Sequence, residues 1–385
     1  MRITLVIAGL GGGGAERVCI NLANAWATRA HQPTLLTLRQ NERPPAYTID
    51  PRVERRDLGL PRPPRSDEFN EVAIAPILRL LSTARCPQLI HDMPAIAMLR
   101  HAILATAPDV VVSIIDRTNV RVLAAMAETR VPVIATEQTD ARRISLGKWQ
   151  GAREELYRCA AAAVVAPDPA IAEWLAAKGA RARAIANPLL APGRPDDRSD
   201  NGGRRKVVTL SRLSAEKRPE FLVRSFASIA PDFPDWDLEI YGDGPQRNML
   251  EHLVEKLAPN RIRISGFSND PYGVLASADL FVSASRIEGF GNAIWEALAC
   301  GVPVVAMDAG PPVRALVRHS IDGVIVSQNT MAALADALAS LMRDETLRQA
   351  YASRAPEVVE RFPFEAALEQ WDELFRAISF SYSAR

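Results

Sequence analysis

Glu288 and Glu296 stand eight positions apart in the run SRIEGFGNAIWEALACGVPVV, Ser285 to Val305, around a Gly-Phe-Gly-Asn turn. An apolar strand ending near Ser283 leaves Glu288 in a loop. Asn292 is then placed to cap a helix that carries Glu296 about one turn inside it. Gly289 and Gly291 allow backbone amides to approach a ligand, and the helix tip adds partial positive charge. Two carboxylates held in this way could grip hydroxyls on either side of a diphosphate. Upstream, VVTLSRLSAEKRPE ends a strand with Arg212 and brings Lys217 five residues later to the start of the next helix. A departing diphosphate gathers charge as its bond breaks. Arg offers it a bidentate fork and Lys a point charge. Either cation alone reads as an ordinary surface charge; together, at one strand end, they read as a pair with a task.

A third candidate lies at the start of the chain. IAGLGGGGAER, from Ile7 to Arg17, satisfies G-x-G-x-x-G at Gly9, Gly11 and Gly14. A dinucleotide site also requires an acidic residue at the end of the second strand to hold the ribose. That strand reads LLTLRQ, with Arg39 where the acid belongs. Arginine suits a 2′-phosphate, so an NADP oxidoreductase stays open as an alternative, beside a tight turn with no ligand at all. Four consecutive glycines exceed what the fingerprint needs. Gly12, Gly13 and Gly14 present bare amides at a helix start, with Glu16 and Arg17 on the first turn beside the same opening.

The elements that must position these groups follow from periodicity. Short β-branched runs alternate with helical patterns, the signature of mostly parallel α/β sheets. Strands are expected at Ile3–Ala8, Thr34–Leu38, Val110–Ile115, Val131–Ala135 and Ala163–Val165. A second series falls at Val207–Leu210, Leu238–Tyr241, Ile262–Ser265, Leu280–Ser283, Val302–Ala306 and Gly323–Val326. Helices are expected over Ala15–Thr28 and Ile96–Ala107. The Pro-punctuated stretch between the second and third strands looks inserted. NPLLAPGRPDDRSDNGGRRK breaks the pattern with Pro, Gly and charge. The expected layout is an N-terminal Rossmann-like domain over 1–186, a linker over 187–205, a C-terminal Rossmann-like domain over 206–362, and a final amphipathic helix over 363–385 that could pack back on the first domain. Ligands of such sheets bind beyond the carboxyl ends of the strands, here in a cleft between the domains.

The 385 residues are 48% hydrophobic with a net charge of only +1, which offers nothing global to nucleic acid. Residues 1–186 hold 24 Lys and Arg against 18 Asp and Glu, and the remainder 22 against 27, so the front half is +6 and the back half −5. Four scattered cysteines form no C-x-x-C pair, which fits structural thiols in a reducing compartment. No apolar run approaches the roughly 18–20 residues of a membrane span, and the first apolar stretch flows into the glycine loop as a strand. A cytoplasmic protein, peripheral on a membrane at most, is expected. Arg79, Arg85 and Arg100, with the apolar run Ile77–Leu81, are candidates for contact with anionic headgroups; an amphipathic core helix reads in the same way. The lone D-x-D, Asp235 to Asp237, precedes a strand and reads as a surface turn, so no metal is expected.

The second half resembles that of retaining glycosyltransferases of family 4, with the GT-B double-Rossmann fold. The motifs that carry the resemblance are the Glu288/Glu296 pair, SRLSAEK with Arg212 and Lys217, YGDGP at Tyr241–Pro245, and ACGVPVVA. GGAERVCINLA from Gly13 is similar to the opening of bacterial members that extend polyprenyl-diphosphate-linked glycans or exopolysaccharide repeats. The resemblance implies two parallel sheets facing across a cleft and a nucleotide-sugar donor, UDP-linked first and GDP-mannose second. It implies donor diphosphate on Arg212 and Lys217, sugar hydroxyls on Glu288, ribose on Glu296, and the amides of Phe290, Gly291 and Asn292 along the phosphates and sugar. The acceptor, a glycan or lipid-linked glycan, would meet the first domain beside Gly12–Gly14. Two departures stand out. Ser211 occupies a position where the family commonly has Gly, and IATEQTD puts Glu137 and Gln138 where many members carry His. Gln cannot shuttle a proton at neutral pH. Asp116 is the other carboxylate nearby, and each acid is as well suited to ordering a loop as to meeting substrate. A sugar-nucleotide epimerase and a non-catalytic binding module remain rival readings.

Overall fold

The structure, a computed structural model, describes residues 1–40, 45, 47–60, 71–83, 86–192 and 204–383. Arg85 and most of the expected linker, 193–203, lie outside the described residues. The chain divides into two compact units, Met1–Pro188 with Phe364–Arg385, and Leu189–Pro363.

The first unit is built on seven strands: β1 (Arg2–Ile7), β2 (Gln32–Thr37), β3 (Glu54–Asp57), β4 (Val110–Ile114), β5 (Val133–Thr136), β6 (Ala163–Ala166) and β7 (Ala182–Ala184). They pair in parallel in the order β3-β2-β1-β4-β5-β6-β7. The central strands are buried along nearly their whole length, as helices covering both faces of a parallel sheet require. The connecting helices are α1 (Gly14–Thr28), α2 (Glu71–Thr83), α3 (Met93–Leu104), α4 (Asp116–Ala125), α5 (Gln150–Cys159) and α6 (Pro169–Ala177). Sequence periodicity passes over β3 and β7. Their runs, ERRD and ARA, sit at the two sheet edges, where one ladder suffices and charge discourages further pairing. The helix Phe364–Ser383 belongs to this unit. Its Trp371 and Phe375 rings pack on Trp26 at 5.5 and 5.2 Å between centroids, and Arg29 pairs with its Glu365 and Asp372.

The inserted stretch forms α2, a short 3₁₀ turn and α3, and here the reading of the Ile77–Leu81 run and of Arg100 as membrane contacts is corrected. Ile77 and Leu81 are 0% and 3% exposed, so the apolar run faces the core. Arg100 donates from Nη1 to the carbonyls of Ala125 and Ala127 at 2.7 and 2.8 Å, closing the last turn of α4 instead of reaching solvent. Arg79 is exposed but ion-paired with Glu128 at 2.6 Å. Among the described residues no helix is long and apolar enough to cross a membrane.

The second unit has six strands, β8 (Arg205–Leu210), β9 (Trp236–Tyr241), β10 (Ile262–Gly266), β11 (Leu280–Ser283), β12 (Val304–Met307) and β13 (Gly323–Val326), in the parallel order β10-β9-β8-β11-β12-β13. Helices α7 (Pro219–Ile229), α8 (Arg247–Leu257), α9 (Pro271–Ala276) and α10 (Asn292–Ala299) cover them, with further helices after β12. Phe226, Trp236, Leu238, Val282 and Leu338 form its core.

Both sheets reverse direction once. The chain runs outward from β1 to β3 and returns to β4 on the other side of β1; it does the same from β8 to β10 and back to β11. At such a switch point the two crossovers leave on opposite faces, so the carboxyl ends of the two strands open into a crevice. Arg212 and Lys217 follow β8, and Glu288 follows β11. The glycine loop follows β1, and Asp116 follows β4.

Candidate functional site

In the second unit the loop after β8 is held by its neighbours. Ser211 N–H donates to Tyr241 O at 3.0 Å and Leu213 N–H to Asp243 O at 2.9 Å, continuing the β8/β9 ladder past the strand ends. This close approach explains YGDGP. A Cβ on Gly242, where φ is +137°, would fall on the Ser211 carbonyl oxygen, and one on Gly244 would lie 2.5 Å from the Leu213 carbonyl oxygen. Ser211 itself is not among the residues with positive φ, so Ser is accommodated where the family commonly has Gly.

Two bonds tie this loop to the one after β11. Arg286 N–H donates to Glu216 O at 2.8 Å. Lys217 Nζ donates to Glu288 Oε1 at 2.6 Å, with side chains 23% and 12% exposed. The Glu216 carboxylate accepts from Ser214 Oγ at 2.6 Å and from Arg212 Nη2 at 2.9 Å. Burial raises its pKa, but the Ser214 hydroxyl, its own backbone and Arg212 outweigh burial and hold it below the ordinary carboxylate value. Arg212 stays 70% exposed, with one arm of its fork on Glu216 and most of the side chain in solvent. Lys217 uses one of three donors on Glu288.

Beyond Glu288 the chain turns into α10. The expectation for Asn292 is corrected: it is the first helical residue, and the cap is Gly291 in the left-handed region at φ 98°, ψ 50°, with no side-chain cap bond. A non-glycine residue there is strained and its Cβ would press on Leu316. Phe290 is buried with its ring edge-on to Phe362 at 5.5 Å, which anchors the turn; Gly289 is buried too. Glu296 lies within the first two turns of α10 and is 5% exposed, so it is no solvated surface acid. Asp237 is corrected as well. It lies in β9 and is ion-paired to Arg204 and Arg261. Among the described residues, no group of three or more His, Cys, Asp or Glu is placed to hold a metal ion.

In the first unit, α1 begins at Gly14 with Gly13 as its cap. Gly12, at φ 96°, is the position that requires glycine. Tyr47 Oη donates to Gly12 O at 2.9 Å and fixes the loop from outside. Arg17, expected beside the opening, is instead buried, its guanidinium 4.7 Å from the Tyr47 ring centroid. Glu16 is half-buried and its carboxylate folds over Gly13. At the ends of β4 and β5, Asp116 is partly exposed and Glu137 is fully buried; Gln138 is partly exposed. Tyr157 Oη donates to Glu137 Oε1 at 2.6 Å. Asn119 Nδ2 donates to Tyr157 Oη at 2.8 Å and to Thr136 O at 2.9 Å. Sequence reasoning found the two acids but missed Asn119, Arg153 and Tyr157. They come from α4 and α5, at spacings that no local motif marks.

Two parallel α/β sheets, each with candidate groups gathered at its switch point, define the GT-B class of nucleotide-sugar-handling folds. The Anabaena protein HepE, solved in complex with UDP and glucose, shares the fold at a TM-score of 0.77 and 21% identity, covering 98% of this chain and 100% of that one. The family model described as "Glycosyltransferase Family 4" matches residues 12–189, and "Glycosyl transferases group 1" matches 195–358. The chain belongs to the family 4 type of GT-B glycosyltransferases. Among curated relatives, an exopolysaccharide phosphotransferase of Streptomyces coelicolor is 29% identical over 97% of this chain, which spans 40% of that relative's length. A Campylobacter jejuni α-1,4-N-acetylgalactosaminyltransferase, named for a GalNAc-containing diphospho-undecaprenol acceptor, is 22% identical over 98% of this chain and 99% of its own.

Proposed function

We propose that the protein transfers a sugar from a nucleoside-diphosphate sugar, UDP-linked before GDP-mannose, to a hydroxyl of a glycan acceptor carried on a lipid diphosphate, in polysaccharide or glycan synthesis. The observation that carries this reading is the convergence of Arg212, Lys217 and Glu288 at the β8/β11 switch point, tied together through Glu216, Arg286 and the Lys217–Glu288 bond. The donor diphosphate takes the Arg212 donors that Glu216 leaves unused and the remaining donors of Lys217. The Gly291 cap aims the first amides of α10 at the same charge. Glu288, already steadied by Lys217, accepts sugar hydroxyls, and Glu296 the ribose.

As the bond from C1 to the phosphate oxygen breaks, charge builds on the diphosphate and the cations offset it. The acceptor oxygen bonds to C1 on the same face, and its proton passes to the departing phosphate oxygen. The anomeric configuration is retained and no metal is needed. The relative named for a diphospho-undecaprenol acceptor and the fold neighbour solved with UDP support the choice of substrates. Peripheral contact with an anionic membrane would serve such an acceptor. After the correction of Arg100, it rests on Arg79 and on Arg85.

A panel of nucleotide sugars, scored by nucleoside-diphosphate release with and without EDTA, tests the reading. Release by wild type that EDTA leaves intact and Glu288→Gln lowers at least a hundredfold is expected. A strict metal requirement, or full activity in Glu288→Gln, overturns it.

A further inference from the structure

The chain leaves the second unit through Arg361, Phe362 and Pro363, and on the way it grips the turn between Glu288 and Asn292 twice. The α10 cap at Gly291 takes no side-chain hydrogen bond, so the packing of its neighbours bears on where its amides point. The first grip is aromatic: the buried Phe290 ring meets Phe362 edge-on at 5.5 Å. The second runs through α11 (Pro311–Leu316). Leu316 is wholly buried, and its Cδ1 would stand 3.1 Å from a Cβ on Gly291, so it lies directly against the cap. The last carbonyls of a helix have no partner within it. Arg361 supplies one for α11: its Nη1 donates to Ala315 O at 2.9 Å and its Nη2 to Leu316 O at 2.7 Å. Nη2 also lies 3.5 Å from Oδ2 of the buried Asp322, which accepts from the N–H and Nε of Arg318 at 2.8 and 2.6 Å. One planar fork thus holds the end of α11. Arg361 ends the short helix Val358–Arg361, and Phe362 N–H donates to Val358 O at 3.0 Å, so both side chains leave one hydrogen-bonded turn. Phe362 is only partly buried. Pro363 after it is exposed, and Phe364 opens the helix that belongs to the first unit.

We propose that Arg361 and Phe362 are positioning residues of the donor site, and that the exit segment they belong to is ordered by the diphosphate bound at the Gly291 cap. Both act at one remove, Phe362 through Phe290 and Arg361 through Leu316 on Gly291. Coupling of this kind is reciprocal: what the exit segment does to donor affinity, the donor does to the order of the exit segment. The donor site thereby reports its occupancy to the peptide that joins the two units. The proposal rests on the donor reading above and adds its regulation.

The test uses the full chain as wild type, Phe362→Ala, Phe362→Tyr and Arg361→Lys, with UDP as the binding probe. Phe362→Ala is expected to weaken UDP binding, read by calorimetry, and to raise donor KM, each about tenfold, with acceptor KM and kcat little changed. Phe362→Tyr keeps the ring and stays close to wild type. Arg361→Lys keeps the charge but not the fork, and should raise donor KM about fivefold. In wild type, UDP should slow amide hydrogen exchange over 358–364 as well as over 287–295. At saturating UDP, Phe362→Ala should lose the first protection and keep the second. A lowered urea midpoint with unchanged donor KM and UDP affinity marks a merely structural contact and overturns the proposal. So does exchange over 358–364 that UDP leaves unaltered in wild type. Failure of the donor reading looks different: wild type then binds neither UDP nor any nucleotide sugar of the panel. Exchange without nucleotide decides the positioning in that case. Faster exchange over 287–295 in Phe362→Ala than in wild type supports it, and equal exchange refutes it.

Discussion

Gly244→Ala is a sharp test of how the candidate site is held. A Cβ at this position would lie 2.5 Å from the Leu213 carbonyl oxygen and 2.8 Å from the Leu213 nitrogen and carbonyl carbon, all of them backbone. Carbon contacts settle at about 3.5–4.0 Å, so one loop must move by about 1 Å. Such overpacking costs about 1–3 kcal/mol. The movement also strains the bonds from Leu213 N–H to Asp243 O and from Gln246 N–H to Leu213 O, at about 1 kcal/mol each if lost. The expected loss is therefore about 3–5 kcal/mol in the second unit, read by equilibrium urea unfolding. Leu213 follows Arg212, so the same shift displaces the guanidinium and should raise donor KM at least tenfold. Gly11→Ala is the matched control. No atom stands within 4 Å of its Cβ and its φ is not positive, so its stability should stay within about 0.5 kcal/mol of wild type. If Gly244→Ala unfolds like wild type, the close approach of the two loops does not exist as described, and the placement of Arg212 loses its support.

Arg212→Ala should leave stability within about 1 kcal/mol, because an exposed ion pair contributes little, while lowering kcat/KM for the nucleotide sugar by about 10²–10³. Matched unfolding curves and initial rates separate the two effects. Asp168→Ala removes the side chain that accepts from Ala170 and Ile171 at the start of α6, and should cost about 1–2 kcal/mol in thermal or urea unfolding. Glu137 gives a pH dependence of stability with a definite sign. Its folded pKa is raised, so the stabilising proton is fully present below about pH 4.5 and is lost as pH rises through about 7. The difference is worth about 3 kcal/mol and should be absent from Glu137→Gln; a wild-type stability that rises over this interval would contradict it.

Much of this protein is written locally. β-Branched runs placed the central strands of both sheets to within two or three residues. Strand ends followed by Arg-x4-Lys, by Glu-Gly-Phe-Gly-Asn and by a run of glycines marked loops that the two switch points then gather. These signals are legible because each depends only on near neighbours: side-chain period, turn-forming glycine, charge at a strand end. What long-range packing decides could not be read in the same way. Lys217 and Glu288 are 71 positions apart and meet because β8 and β11 are adjacent in the sheet. Gly242 is glycine because another loop crosses it. Arg100 looks like a surface cation in sequence and is a helix-closing donor in the fold, since only tertiary contact tells a side chain which carbonyls have no partner. The edge strands β3 and β7 carry no apolar signal, being stabilised by a neighbour's ladder instead of burial. Glu137 shows the division most clearly. The chain specifies an acid at the end of a strand, but whether that acid holds a proton at neutral pH is set by the water it loses and the charges it faces, and both belong to the assembled structure.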